Sequence, residues 1–533
     1  MAYSRFLWVL KRMLIPFEPS NSQLPYEIWR IIYYLLPKDY RLTLYSVNSA
    51  LFNLVMHEMY SNLDLRPQRG ALSFDTRYFV ANLSSFAFKQ VKSLALEPDI
   101  EHEEPKPLPF WSRLVDCITL QPVLKEMVSW NMELIPTRIP KMTALSSLKI
   151  EYPALKYSRT RFQKFIQPRR ARWIVPSSLS KLELNLPLDL VHLTLHSAPI
   201  FQHLEELILT LIDKPPYEQP LVTDVAKLVN EKCSNITKLG VHNASDAVDP
   251  FFASLLPLPH LSSLSFIWPS HYAQVSVLRG CHSFLSAHAD ALRTVTLDID
   301  YDLRYRPLRS NNEITSHPIF RISLPRLTNL TLWPTFSISS NAITTSFLEQ
   351  HIGSFIQTLT QLHMPNSSLQ ENEIPKIVRL VGGHSSHLRV LQMNVQSFRC
   401  KLLELFCGCC PSLEVLELTF SDLATGDPPK VIERPLTYDW RDWSPDRHRD
   451  KYIEIIGLFE PFFCEEMDKY DYSQWGIQRL HLGFKPIDCR SEAPNYDPFR
   501  GPLARAMSSL ISFNGEEIWR DRDIDANKFS ASR

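Results

Sequence analysis

One short hydrophobic string recurs along most of this chain: an apolar residue, two others, a second apolar residue, one more position, and a third. After a first approach at Val91 it appears as Leu145-Leu148-Ile150, Leu179-Leu182-Leu184, Leu204-Leu207-Leu209, Ile236-Leu239-Val241, Leu261-Leu264-Phe266, Leu292-Val295-Leu297, Leu327-Leu330-Leu332, Leu359-Leu362-Met364, Leu388-Leu391-Met393, Leu413-Leu416-Leu418 and Ile477-Leu480-Leu482. The last two apolar positions of each string share one face of a short strand, and the first anchors the turn that enters it. Between the strings lie stretches with helical apolar spacing: Val222 to Cys233, Val275 to Ala289, Ile343 to Ile356, Ile374 to Val381 and Phe398 to Cys410. Successive starts are roughly 25 to 35 residues apart, enough for one strand and one helix, with one longer gap before Ile477. Such a pair cannot bury its own apolar face, so repeats must stack on a shared core. The pattern predicts an α/β chain built as an irregular solenoid of parallel strands and helices. A two-layer α/β domain with a parallel sheet is the alternative.

Ahead of the repeats the period is helical throughout. Leu24, Ile28, Ile31, Ile32, Leu35 and Leu36 trace one face, Pro25 suits a first helical turn, and Pro37 ends the helix. Lys38-Asp39 reads as a turn, with Asp39 placed to cap a second helix carrying Tyr40, Leu44, Val47 and Leu51, and Phe52, Leu54 and Val55 open a third. A unit of about forty residues is too small to cover its apolar surface, so part of the Leu24/Pro25/Leu35 face is expected to lie against a partner. The chain is thus expected to divide into an N-terminal extension (1–20), a helical module (21–65), a repeat array (66–483) with an insertion at 424–474, and a C-terminal cap and tail (484–533).

Composition narrows the function. With 533 residues and 44% hydrophobic content the chain exceeds one compact core. Its 57 Lys+Arg balance 57 Asp+Glu, so no general field draws it to nucleic acid or anionic lipid, and a protein partner is expected. The 13 glycines and 40 prolines disfavour Gly-rich phosphate loops. The nine scattered cysteines do not form the framework of a small secreted domain, which points to the cytoplasm or nucleus. The apolar run Phe6 to Leu10 stops at Lys11-Arg12, too short for a signal-peptide core or a membrane span, and a locally packed helix is favoured there over a membrane contact through Phe6, Leu7, Trp8, Leu14 and Ile15.

No P-loop, dinucleotide, nucleophile-elbow or zinc-protease string occurs, so no catalytic, cofactor-binding or metal-ligating residue is assigned and no enzyme is expected. Cys400, Cys407, Cys409 and Cys410 are close enough to invite a metal, but they end an apolar helix stripe without a second ligand pair, and packing is the favoured role. Two segments stand out as target-binding candidates. Lys156 to Arg172 carries Arg161, Arg169, Arg170 and Arg172 with interleaved aromatics and no acid, suited to an acidic tail, a phosphorylated protein or RNA, although a plain basic inter-repeat loop is the simpler reading. The insertion holds Trp440 and Trp443, and serves either as a binding lid or, through a helix over Tyr452 to Phe463, as a cap on the core.

The segment Leu24 to Tyr60 resembles the F-box. Leu24, Pro25, Glu27, Ile28, Ile31, Leu35, Asp39, Leu44, Val47, Asn48 and Phe52 stand where that family's pattern wants them. The resemblance implies docking to the Skp-type adaptor of a cullin–RING ubiquitin ligase through Leu24, Pro25, Ile28, Leu35, Leu36 and Val47; a helical hairpin that only caps the domain behind it is the structural alternative. The repeats resemble the leucine-rich-repeat family, without its regular asparagine ladder, since Pro187, Ser367, Gln396 and Ser421 hold that position. An F-box followed by divergent leucine-rich repeats is the architecture of F-box-like proteins of mushroom-forming fungi. It implies a ligase substrate receptor, or alternatively an interaction scaffold without ligase association.

Overall fold

The computed structural model describes residues 25–65, 85–96, 139–151, 176, 178–212, 219–243, 248–269, 279–300, 318–334, 357–369, 371–384, 387–425, 430–431, 457–470, 472–484, 499–514 and 516–517. The chain divides into two compact units, 1–212 with 227–236, and 213–226 with 237–533.

The first unit opens with helix α1 (Tyr26–Leu35), entered from Pro25 and ended at Leu36 in extended conformation before Pro37. The predicted second helix is not continuous. A single turn (Lys38–Arg41) passes into a 3-10 segment (Leu42–Ser46), and the chain breaks at Asn48. The Asn48 side chain accepts the Leu51 N–H at 2.8 Å, so α2 (Ser49–Tyr60) begins there and not at Phe52. A capping asparagine in an extended backbone outcompetes helix continuation because it satisfies an otherwise orphan donor. Tyr33, Leu51, Leu54 and Val55 form the core of this module, with Trp29, Leu44 and Tyr45 packed against it.

Strand β1 (Asn62–Leu65) follows α2 directly and pairs in parallel with β2 (Ser93–Leu96), preceded by the short helix α3 (Ser85–Gln90). Then come β3 (Ser147–Glu151), β4 (Lys181–Pro187), helix α4 (Leu188–Ser197) and β5 (Glu206–Ile212), each strand parallel to the one before. The C-terminal end of α4 is closed by Lys232, from the last turn of α5 (Gln219–Lys232), whose ammonium donates to the carbonyls of Leu195, His196 and Ala198 at 2.7, 2.8 and 2.5 Å.

The second unit continues with β6 (Lys238–Asn243), α6 (Val248–Ser254), β7 (Ser263–Pro269), α7 (Arg279–Ala287), β8 (Thr294–Asp300), β9 (Asn329–Pro334), β10 (Gln361–Leu369), α8 (Ile374–His384), β11 (Val390–Phe398), α9 (Cys400–Cys409) and β12 (Val415–Thr425). Strands β6 to β12 are parallel neighbours in chain order, and β14 (Arg479–Phe484) follows β12 in the same sense. Two antiparallel additions finish the unit: β13 (Lys430–Val431) on β12, and β16 (Glu516–Glu517) on β15 (Ser512–Phe513), which itself extends β14. Helix α10 (457–467) lies in the insertion, and its Phe459 and Phe463 pack with Phe398, 6.3 and 6.5 Å between ring centres, and with Phe499 just before α11 (Arg500–Ala506). This part of the insertion therefore contributes to the core.

All of the repeated strings sit on strands, and their apolar positions are buried, Leu297 alone being half-exposed. Within each unit the strands begin in a common register because the second residue of a string lends its carbonyl to the next. Lys92 O accepts from Ser146 N and Ser147 N at 2.9 and 3.0 Å, and Thr237 O accepts from Ser262 N and Ser263 N at the same two distances. Hydroxyls reinforce these rungs: Ser146, Ser180, Ser262, Thr328 and Thr360 donate to the same carbonyls at 3.1 to 3.3 Å. At these five strand entrances a serine or threonine hydroxyl thus supplies hydrogen bonds between repeats that the missing asparagines do not.

Candidate interaction surfaces

In α1 the residues on the side away from Tyr33 stay bare. Ile28, Ile31 and Leu35, at i, i+3 and i+7, are 40%, 56% and 79% exposed and form one apolar ridge. Pro25 is exposed at its start, and Leu36 is half-buried at its end. Tyr40 and Val47, on the two short segments that follow, are 65% and 56% exposed. Of the adaptor-facing residues named from sequence, Pro25, Ile28, Leu35 and Val47 are exposed, Leu36 turns partly inward, and Leu24 lies outside the described residues. Ile31 and Tyr40 were not among them; the i, i+3, i+7 spacing was the signal for Ile31.

A polar clamp closes the C-terminal end of α1. Arg41 donates through Nε to Leu36 O at 2.9 Å and through Nη2 to Tyr34 O at 3.0 Å, and its guanidinium approaches Glu58 at 3.7 Å. Burial, with the Glu58 carboxylate beside it, pushes the Tyr33 phenol well above its ordinary range.

The second surface is the outer face of the strands, where residues between the buried apolar positions are half-exposed, as in β4 with its strict alternation. In the first unit this face is ionic. Lys149 meets Glu151 at 2.7 Å and Glu183 at 2.6 Å, and Lys181 meets Glu206 at 2.6 Å. Burial alone would lower the Lys149 ammonium, but its hydrogen bonds to Glu151 and Glu183 outweigh that and hold it above its ordinary value. In the second unit the register aligns Thr331, His363, Gln392, Glu417 and His481 across neighbouring strands, with His363 Nδ1 and Gln392 Oε1 2.9 Å apart. Side-chain type does not mark these positions in the sequence; only their place within the string does.

The remaining candidates resolve differently. Arg161, Arg169, Arg170, Arg172, Trp440 and Trp443 lie outside the described residues. Cys400 and Cys410 are buried in the core around α9, while Cys407 and Cys409 are half-exposed, and burial pushes the Cys410 thiol up to about 12. Among the described residues no group of three or more His, Cys, Asp or Glu is placed to hold a metal ion, and no helix is long and apolar enough to cross a membrane.

Parallel strands in chain order, most of them entered through the same apolar string and joined within each unit by a ladder of turn carbonyls, make a solenoid of leucine-rich-repeat type, with a small helical module at the start of the first unit. No family model matches the chain, and no curated protein does. Among solved structures it is similar to an internalin from Listeria monocytogenes, at 11% identity and a TM-score of 0.26, over 83% of this chain and 94% of that one.

Proposed function

We propose that this protein is a non-catalytic interaction scaffold, whose repeat array holds a protein target on the outer face of its strands. The observation that carries the reading is the sheet itself: strand after strand buries one row of side chains and offers the next to solvent in fixed register. Such a platform orients many weak contacts at little entropic cost, since the backbone beneath is already ordered. Binding of a target that weakens about tenfold or more on Gln392→Ala/Glu417→Ala/His481→Ala, with melting unchanged, supports this face. Unchanged binding sinks it.

The exposed ridge of α1 favours a finer reading, in which the scaffold is the substrate receptor of a Skp–cullin–F-box ubiquitin ligase. Ile28, Leu35 and Val47 then bind a Skp-type adaptor, and transfer chemistry belongs to other subunits. The receptor's contribution is proximity, which raises the effective concentration of target lysines near the conjugating enzyme. Co-purification with a Skp-type adaptor tests it, comparing wild type with Ile28→Ala/Leu35→Ala. Losing two packed anchors typically costs about 2 kcal/mol or more of binding. A folded wild type that captures no adaptor leaves the scaffold without ligase association.

A further inference from the structure

Helix α4 packs on β4 and β5 and turns one flank to solvent. Leu188, Leu190, Val191, Thr194 and Leu195 are buried, which leaves His192 half-exposed and His196 exposed on the other side. The two histidines are i and i+4, one turn apart on a shared face, and their rings stack with centres 5.8 Å apart and planes 12° from parallel.

We propose that His192 and His196 form a two-imidazole chelate for a divalent ion of the zinc and copper class. The spacing fits. A Zn–N bond of about 2.1 Å, with ~1.1 Å more from nitrogen to ring centre, puts each ring centre about 3.2 Å from a shared ion. Two rings at the tetrahedral angle then stand about 5.2 Å apart, so the pair has only about 0.6 Å to close. Side-chain rotation suffices, because i, i+4 spacing already sets two histidines at chelating distance in zinc-binding helices. The backbone beneath is held: the Lys232 ammonium donates to the carbonyls of Leu195, His196 and Ala198 and ties down the turn that carries His196. The same ammonium helps select the ion. With that positive charge at the His196 carbonyl and no carboxylate in the pair, oxygen-seeking Mg²⁺ and Ca²⁺ gain nothing, whereas neutral imidazole nitrogen suits Zn²⁺, Cu²⁺ and Ni²⁺. Asp189, three residues before His192, does not complete a trio, since no group of three ligating side chains is placed for a metal among the described residues. The chain thus supplies two ligands and leaves two tetrahedral positions to water or to a donor from outside. Position 193 is leucine, where hydrolytic zinc helices carry glutamate, so the ion is bound without a general base beside it.

The test uses the full chain, stripped of metal by a chelator. Hydrogen exchange across 188–198 is followed against Zn²⁺, with Mg²⁺ as control, in wild type, His192→Gln, His196→Gln and His196→Ser/Ser197→His. The last variant keeps both imidazoles but moves one to i+5, off the shared face. Zn²⁺ is expected to slow α4 exchange in wild type, and half-saturation is expected to move about a hundredfold higher in each variant, because the second, intramolecular bond is lost. Mg²⁺ is expected to leave exchange unchanged. Exchange that ignores Zn²⁺, that responds to Mg²⁺ as to Zn²⁺, or that responds equally in wild type and the i+5 variant overturns the proposal. A second measure needs no variant. One equivalent of Cu²⁺ with ascorbate oxidises the ligands of the bound ion, and mass spectrometry is expected to find oxidised imidazole first at His192 and His196. Oxidation of other histidines that spares both of these overturns it as well.

Discussion

The guanidinium of Arg41 lies 5.6 Å from the centre of the Tyr33 ring, on the chain segment that folds back across the end of α1. It also closes that helix end through Leu36 O and Tyr34 O. One side chain therefore stacks on the core of the N-terminal module and closes the end of α1. Arg41→Ala is expected to cost about 1–2 kcal/mol locally, through the lost cap and cation–π contact. Limited proteolysis should cut α1 sooner than the repeat strands; cleavage at the wild-type rate rules the clamp out.

Tyr33 makes the same module sensitive to alkali. Its phenol is pushed up by burial and by Glu58, so the native state favours the neutral form. The resulting stability is whole below the ordinary tyrosine value of about 10 and is lost as pH rises through the native value. Tyr33→Phe removes the ionisation, so proteolysis of the module should accelerate as pH rises from about 10 to about 11 more in wild type than in the variant. Equal acceleration assigns the sensitivity elsewhere.

Two glycines set how closely neighbouring repeats pack in the second unit. A Cβ on Gly280 would meet Asp249 O at 2.3 Å, and one on Gly382 would meet Cys409 O at 2.1 Å, in both cases backbone that cannot swing aside. Asp249 depends on the first approach, because its carboxylate accepts the Gly280 and Cys281 N–H groups at 2.7 and 3.2 Å and so caps α7 from α6. Gly280→Ala and Gly382→Ala should each destabilise by about 1–3 kcal/mol or more despite adding one methyl group. Thermal melts are the measurement, and a variant that melts with wild type refutes the close approach.

His288 is buried between a donor and an acceptor. Its Nε2 accepts the Leu258 N–H at 2.9 Å, which leaves Nδ1 to donate to Phe284 O at 2.8 Å. His288→Phe keeps a ring against Phe284 but strands the Leu258 N–H, at an expected cost of about 1–3 kcal/mol. A denaturant midpoint unchanged by this substitution means that water replaces the imidazole.

The repeat strands were legible because the Leu-x-x-Leu-x-Leu string fixes both the period and the face, and burial follows it from Leu145 to Leu482. Helix α4 was not. Leu182, Leu184, Leu186, Leu188 and Leu190 alternate without a break, so the sequence prolongs a strand where Pro187 turns the chain into a helix. Asn48 hid a break in the same way, by standing inside a helical apolar period that its own cap interrupts. The outer strand face was hidden for a different reason. Thr331, His363, Gln392, Glu417 and His481 share no chemical type and sit far apart in sequence, and only the parallel register makes them neighbours.

The carbonyl rungs at the strand entrances ignore what lies between them. Lys92 O receives the same pair of N–H groups across 54 residues to Ser146 that Thr237 O receives across 25 to Ser262, at matching distances. Connection length is therefore free to vary while alignment stays fixed. A change in the length of one excursion leaves the strands on either side of it aligned.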